Sequence, residues 1–234
     1  MEGFTRPHLG VLAFGDSITH GGGELQWGVA LQSWALWTAR GLGLPYTGYA
    51  VDGADVAHLL AEQIPAFRER AADPDGPYDL GCLYIGVNDV RGPAWDAPVF
   101  AARHAEALAF LHERCARVVC LTPPLDLGRP PAGSANVAAL RDAVARNASA
   151  RGALTVSLEG FGARNHVMVD RVHPTAFGQV AIARRVLAAL AADGMDVRVD
   201  PAHLITPGGR SRLRALQGDW TYVYRDLRQR LRSA

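Results

Sequence analysis

The 234-residue chain contains no lysine, and all 24 of its basic side chains are arginine. That bias reads as the composition of a GC-rich genome. It also excludes a P-loop, whose phosphate-reaching residue is a lysine, so the Gly21-Gly22-Gly23 run is not a nucleotide cradle. Net charge is nearly absent as well, at +1, which gives no general reason to expect nucleic-acid binding. Cysteine is scarce and odd in number. Cys82, Cys115 and Cys120 fall in or near apolar segments and read as reduced core residues, which points to a reducing compartment. No stretch offers 18 or more uninterrupted apolar residues, and the N-terminus lacks a basic region followed by an apolar run. No integral membrane segment is expected, and the reading is of a cytoplasmic protein. Metal-site spacings such as HExxH and CxxC are missing, so no metal or other cofactor is expected. No serine sits in a G-x-S-x-G elbow, which excludes the nucleophile architecture built on that motif.

What is present is enough apolar residue, 49%, to fill a sizeable core. Short apolar runs alternate with segments of helical period, the rhythm of βα units and a parallel sheet. Strands are expected near Leu9–Phe14, Tyr46–Val51, Leu80–Ile85, Val118–Leu121 and Leu154–Leu158, each apolar enough to be covered on both faces. Helices are expected over Trp27–Leu42, Val56–Arg70, Val99–Arg114, Asn136–Ala150 and Thr175–Ala191. The fold class that follows is α/β, a three-layer α/β/α sandwich with a five-stranded parallel sheet and a C-terminal helical extension.

That extension differs in character. Residues 203–234 hold seven Arg and two Asp, a local net of +5, which leaves about −4 for the rest. Leu213, Leu216, Trp220, Val223, Leu227 and Leu231 recur at three- and four-residue steps, as in one or two amphipathic helices broken near Gly218-Asp219. Such a helix can pack on the domain, join two copies into a homo-oligomer, or meet an anionic surface.

In an open parallel sheet, ligands bind outside the carboxyl ends of the strands. Four expected strand ends carry Gly15-Asp16-Ser17-Ile18-Thr19-His20-Gly21, Asp52-Gly53-Ala54-Asp55, Gly86-Val87-Asn88-Asp89 and, beyond a loop, Asp170-Arg171-Val172-His173-Pro174. These parts suffice for acyl transfer. A serine hydroxyl needs an adjacent base, for which His173 is the candidate, and the base needs an orienting partner, for which Asp170 is the candidate. Preorganised donors for the tetrahedral intermediate can come from the N–H groups of Ser17 and Gly53 and the amide of Asn88. Taken singly, Ser17 reads equally well as a turn serine capping a helix, and Asn88-Asp89 as a simple turn. Asp16 and Asp89 read as hydrogen-bonding braces. His20 is either a second base or an exposed loop histidine. Trp27 and Trp95 are candidates for pocket walls, whereas Trp34 and Trp37 read as core.

The four blocks GDSITHG at 15–21, GAD around Gly53, GVND at 86–89 and DRVHP at 170–174 together resemble the motif blocks of the GDSL, or SGNH, hydrolase family, in its order. The resemblance covers about residues 9–190. It implies a flavodoxin-like sandwich and no metal, and says nothing about the arginine-rich tail; the expected division is an SGNH hydrolase domain over 1–200 with 201–234 as the extension. It also implies Ser17 as nucleophile, His173 as base, Asp170 as its orienting acid, and Ser17, Gly53 and Asn88 as oxyanion donors. Ile18 stands where the family's name has leucine, and the Gly53 block is the least sharply defined. The expected activity is hydrolysis of a carboxylic ester of a small molecule. An O-deacetylase of a sugar or natural product and an acyltransferase are the rivals within this chemistry, and a non-catalytic binding module is the rival outside it.

Overall fold

The computed structural model describes residues 8–26, 29–73, 75–163 and 165–205, with residues 216, 220, 223, 224, 227 and 228. Five strands form one sheet: β1 (Val11–Gly15), β2 (Tyr46–Gly48), β3 (Tyr78–Tyr84), β4 (Cys115–Thr122) and β5 (Leu154–Ser157). All neighbouring strands are parallel and their order is β2-β1-β3-β4-β5. The helices are α1 (Ser17–His20), α2 (Trp34–Leu42), α3 (Val56–His58), α4 (Ile64–Arg70), α5 (Val87–Arg91), α6 (Ala97–His112), α7 (Ser134–Ala150) and α8 (Ala176–Ala192). A π-helical turn, Leu59–Gln63, joins α3 to α4.

This order is the flavodoxin-like doubly wound arrangement. Right-handed crossovers leave β1 in one direction for β2 and in the other for the rest. They therefore put α2 and α8 together on one face, and α4, α6 and α7 on the other. With both faces covered, every residue of β1 is buried. An edge-to-face group of Phe14, Phe67 and Phe110 fills the space under the end of β1. Cys82, Cys115 and Cys120 are buried free thiols in β3 and β4.

The strands and helices expected between Leu9 and Ala191 are all found, with shifted bounds. The largest shift is in α2, expected from Trp27 but starting at Trp34, because the Ser33 hydroxyl accepts from Leu36 N–H and caps the helix there. Upstream, Gln26 and Val29 form an isolated bridge instead. β2 ends at Gly48 rather than Val51. The short helices α1 and α5 fall within segments read as turns. The chain remains packed through Ile205, which joins Val29, Trp37 and Val180 in a second apolar cluster. Beyond it, Leu216, Trp220, Val223, Tyr224, Leu227 and Arg228 are helical, and Leu216, Trp220, Tyr224 and Leu227 are exposed. The remaining residues of the expected tail helix lie outside the described ones. Among the described residues, no helix is long and apolar enough to cross a membrane.

Candidate active site

The order of strands reverses between β1 and β3, and the segments leaving those two strands open a crevice at that point. Ser17 starts α1 directly after β1, and Asn88 lies in α5 directly after β3. Asp16 caps α1 by accepting from Ile18 N–H at 2.9 Å, while Ile18 and Thr19 are buried beneath. Ser17 thus faces the rim on a turn anchored from below.

Two glutamines that nothing in the sequence singled out hold this turn. Gln63, at the end of the π turn, accepts from Gly15 N–H at 3.1 Å and donates to the Gly15 carbonyl at 2.7 Å. Gln179 in α8 accepts from Trp34 N–H at 2.7 Å and donates to the carbonyls of Ile18 at 3.0 Å and Gly22 at 3.2 Å. Both are buried. A signal for Gln179 existed: it shares the inward stripe of α8 with Ala176, Val180 and Ala183.

Asp170 and His173 arrive on the loop before α8. Arg171 adopts φ 54° there. Its carbonyl accepts from Gly128 N–H at 2.9 Å and its guanidinium pairs with Asp126. From the other side Gly23 packs so closely on the Pro174 carbonyl that a Cβ would sit 2.1 Å from that oxygen. The triglycine is therefore a close-approach element under the histidine loop.

These supports bring three of the expected residues into one hydrogen-bonded line. Ser17 Oγ lies 2.9 Å from His173 Nε2, and His173 Nδ1 lies 2.7 Å from Asp170 Oδ2. The second carboxylate oxygen of Asp170 accepts from the N–H groups of Val172 at 2.9 Å and His173 at 3.1 Å. The hydrogen bond that His173 Nδ1–H donates to Asp170 raises the His173 pKa above its ordinary 6.5; burial opposes this, and the charges of Asp170, Asp16 and Asp52 add to it. Burial alone would raise Asp170, but the bonds from His173 and the two backbone N–H groups outweigh it and hold the carboxyl below its usual range. Asp16 is pushed up to about 7, chiefly by complete burial. Its second oxygen has no partner among the described residues.

The expected donors lie on the adjoining segments. Gly53 adopts φ 75° in the turn after β2. Neither its N–H nor that of Ser17 meets an acceptor among the described residues. The Asn88 amide spends one hydrogen on the Ala54 carbonyl at 2.8 Å, leaving its second N–H available. Asp89 accepts from Val56 N–H with both carboxylate oxygens at 3.2 Å, tying the same two segments together. Burial pushes its pKa up to about 6. Of the other singled-out residues, Trp34 and Trp37 are core, Trp95 is half-buried beside Phe100, and Trp27 lies outside the described residues. No group of three or more His, Cys, Asp or Glu side chains able to hold a metal occurs among the described residues.

The sequence profile of the GDSL-like lipase/acylhydrolase family matches residues 13–181, which span the whole arrangement. The chain belongs to this family. As a GDSL hydrolase it is an SGNH-type esterase. It has no significant match among curated protein sequences. Similar solved structures include LAE5, an alpha/beta hydrolase enzyme from the metagenome of Lake Arreo, at 21% identity and TM-score 0.61, covering 80% of this chain and 97% of that one. The acetylxylan esterase Axe2 of Geobacillus stearothermophilus is similar at 18% identity and TM-score 0.60, covering 77% and 93%. A lipase/acylhydrolase from Enterococcus faecalis is similar at 14% identity and TM-score 0.62, covering 81% and 98%. At such identities these structures speak to the fold of this GDSL hydrolase, which they share.

Proposed function

We propose that this GDSL hydrolase cleaves a carboxylic ester of a small molecule through an acyl-enzyme on Ser17. The observation that carries this reading is the 2.9 Å contact between Ser17 Oγ and His173 Nε2, in line with Asp170. His173 Nε2 takes the hydroxyl proton as Oγ bonds to the carbonyl carbon, and Asp170 stabilises the imidazolium that forms. The carbonyl oxygen becomes an oxyanion, received by the N–H groups of Ser17 and Gly53 and the free N–H of Asn88. Its collapse expels the alcohol, which leaves with the proton from His173. Water then attacks the acyl carbon, gives its proton to His173, and frees the acid and Ser17. Catalytic mutants of Axe2 that exchange a serine, an aspartate or a histidine for alanine agree with this assignment of residue types.

A second reading, O-deacetylation of a sugar or natural product, draws on the polar rim. His20 and Asp52 are exposed beside Ser17, and at the histidine loop Asp126 is exposed and its partner Arg171 half-buried. Such groups suit a hydroxylated alcohol better than a long acyl chain. The acetylxylan esterase activity named for Axe2 points the same way.

The test is labelling with a fluorophosphonate followed by intact mass, and then an acyl-chain profile on aryl esters with acetylated sugars in the panel. One adduct is expected on the wild type and none on Ser17→Ala. Equal labelling of Ser17→Ala sinks the acyl-enzyme. Turnover peaking at acetate and extending to the sugars supports the second reading, and a peak at long chains removes it.

A further inference from the structure

His20 and Asp52 stand outside the proton relay, yet they join the two segments that flank it. His20 closes α1, three residues after Ser17, and its Nδ1 lies 2.8 Å from Asp52 Oδ1. Asp52 immediately precedes Gly53. Elsewhere in this turn, Val51 N–H donates to the Gly15 carbonyl at 3.2 Å, Ala54 N–H to the Val51 carbonyl at 3.2 Å, and Asn88 to the Ala54 carbonyl. Those bonds fix the residues on either side of the Asp52–Gly53 peptide. The peptide itself carries the N–H assigned to the oxyanion.

Two physical facts indicate what the pair does. Its side chains are 60% and 67% exposed, and ion pairs so open to water contribute little to folding. Stability does not account for it. Gly53, by contrast, needs restraint: a glycine visits many backbone wells, and a Cβ built on it would touch nothing within 4 Å, so no neighbour packs against that side. A donor that must be preorganised before charge develops cannot be left to wander between wells. Asp52 is also close enough to the relay to be among the carboxylates that act on His173. The bare Asp52 charge would oppose an oxyanion forming beside it, and the His20 N–H offsets that charge.

We propose that His20 is a positioning residue, whose hydrogen bond to Asp52 holds the Asp52–Gly53 peptide with its N–H aimed at the oxyanion formed on the ester bound at Ser17. The inference rests on the acyl-enzyme reading above. It couples the nucleophile turn to the oxyanion turn through side chains that neither accept nor donate the catalytic proton.

The experiment uses the full chain, an aryl acetate, and the fluorophosphonate, at a pH on the alkaline plateau of activity. The variants are His20→Ala, His20→Gln, Asp52→Ala and the double His20→Ala/Asp52→Ala. Expected for either single alanine variant is a kcat lower by about tenfold, less than the loss of a whole oxyanion donor, with an unchanged melting temperature. KM should stay within about twofold, because the lost interaction belongs to the transition state. The double variant should be no worse than either single, since both break one bond. Gln at position 20 can still donate to Asp52 and should recover most of the rate. A raised KM at unchanged kcat would make the pair a substrate contact and overturn the proposal. Loss of melting temperature in step with rate, or additive losses in the double variant, would overturn it too. If the wild type is labelled but His20→Ala behaves as wild type, this inference alone fails. If the wild type is neither labelled nor active on any ester, the acyl-enzyme reading fails and takes the inference with it.

Discussion

In the proposed mechanism His173 works as a base only while neutral, and its neighbours hold its proton more tightly than usual. The hydrogen bond to Asp170 is the main reason, with Asp16 and Asp52 adding negative charge nearby. A raised folded pKa means that the imidazole stays protonated to a higher pH than a free histidine does. The acid limb of kcat/KM should therefore have its midpoint above 6.5. Replacing Asp170 by Asn removes the bond that does most of the raising. The midpoint should then move to lower pH while the plateau falls by roughly 10⁴-fold, the scale seen when a relay loses its orienting acid. A pH profile on an activated ester checks both, and an unmoved midpoint in Asp170→Asn would deny the carboxylate this role. This line of three residues was legible in the sequence because each residue type follows a strand in a fixed block. The spacing of Asp170 and His173 alone said only that a turn could bring them together, and the loop tied down by Gly128 and Gly23 is what does so.

The Ser17 turn is four residues long and has few bonds of its own. Its position is set by elements distant in sequence, above all by α8 through Gln179. Substituting Leu for Gln179 would strand the carbonyls of Ile18 and Gly22 and the N–H of Trp34 in the core. An unsatisfied buried backbone group costs about 1–3 kcal/mol, so a loss of several kcal/mol is expected in a denaturant titration. Activity should fall further than stability alone accounts for, because Ser17 moves with Ile18. A Gln179→Leu variant with wild-type stability would show that these bonds are expendable. Gln63 could not be read from composition or period, since a helical glutamine is usually an exposed one, and for Gln179 the same prior hid the one signal there was, its place on the inward stripe of α8. The same limit hid α1 and α5, which are too short to show a helical period, and placed the start of α2 seven residues early. The apolar run from Trp27 onwards has helical composition, but the Ser33 cap decides where the helix begins.

At the scale of the molecule, the sheet, both helical layers and all three relay residues lie within residues 8–205. Ile205 is still part of an apolar cluster with Trp37 of α2 and Val180 of α8, so a truncation that spares this packing must keep it. Truncation after Ile205 should leave the melting temperature and aryl-ester turnover close to those of the full chain, turnover within about twofold, since the residues proposed to act in the transition state all precede it. The exposed Leu216, Trp220, Tyr224 and Leu227 make association the property to watch in that comparison. Light scattering of the two forms reads it directly. A collapse of turnover on truncation would bring the arginine-rich segment into the active site, contrary to this division.

The sequence by itself determined the alternation of strands and helices, the family, and the kinds of groups delivered to the strand ends. Periodicity records which faces are buried, and motif blocks record which chemistry follows each strand. Tertiary structure alone decided how those groups meet. It chose the strand order that sets the end of β1 beside the end of β3, the buried glutamines that hold the Ser17 turn, and the contact between His20 and Asp52. Each of these joins residues far apart in the chain, and such pairings leave no local periodicity or propensity from which a single sequence could be read.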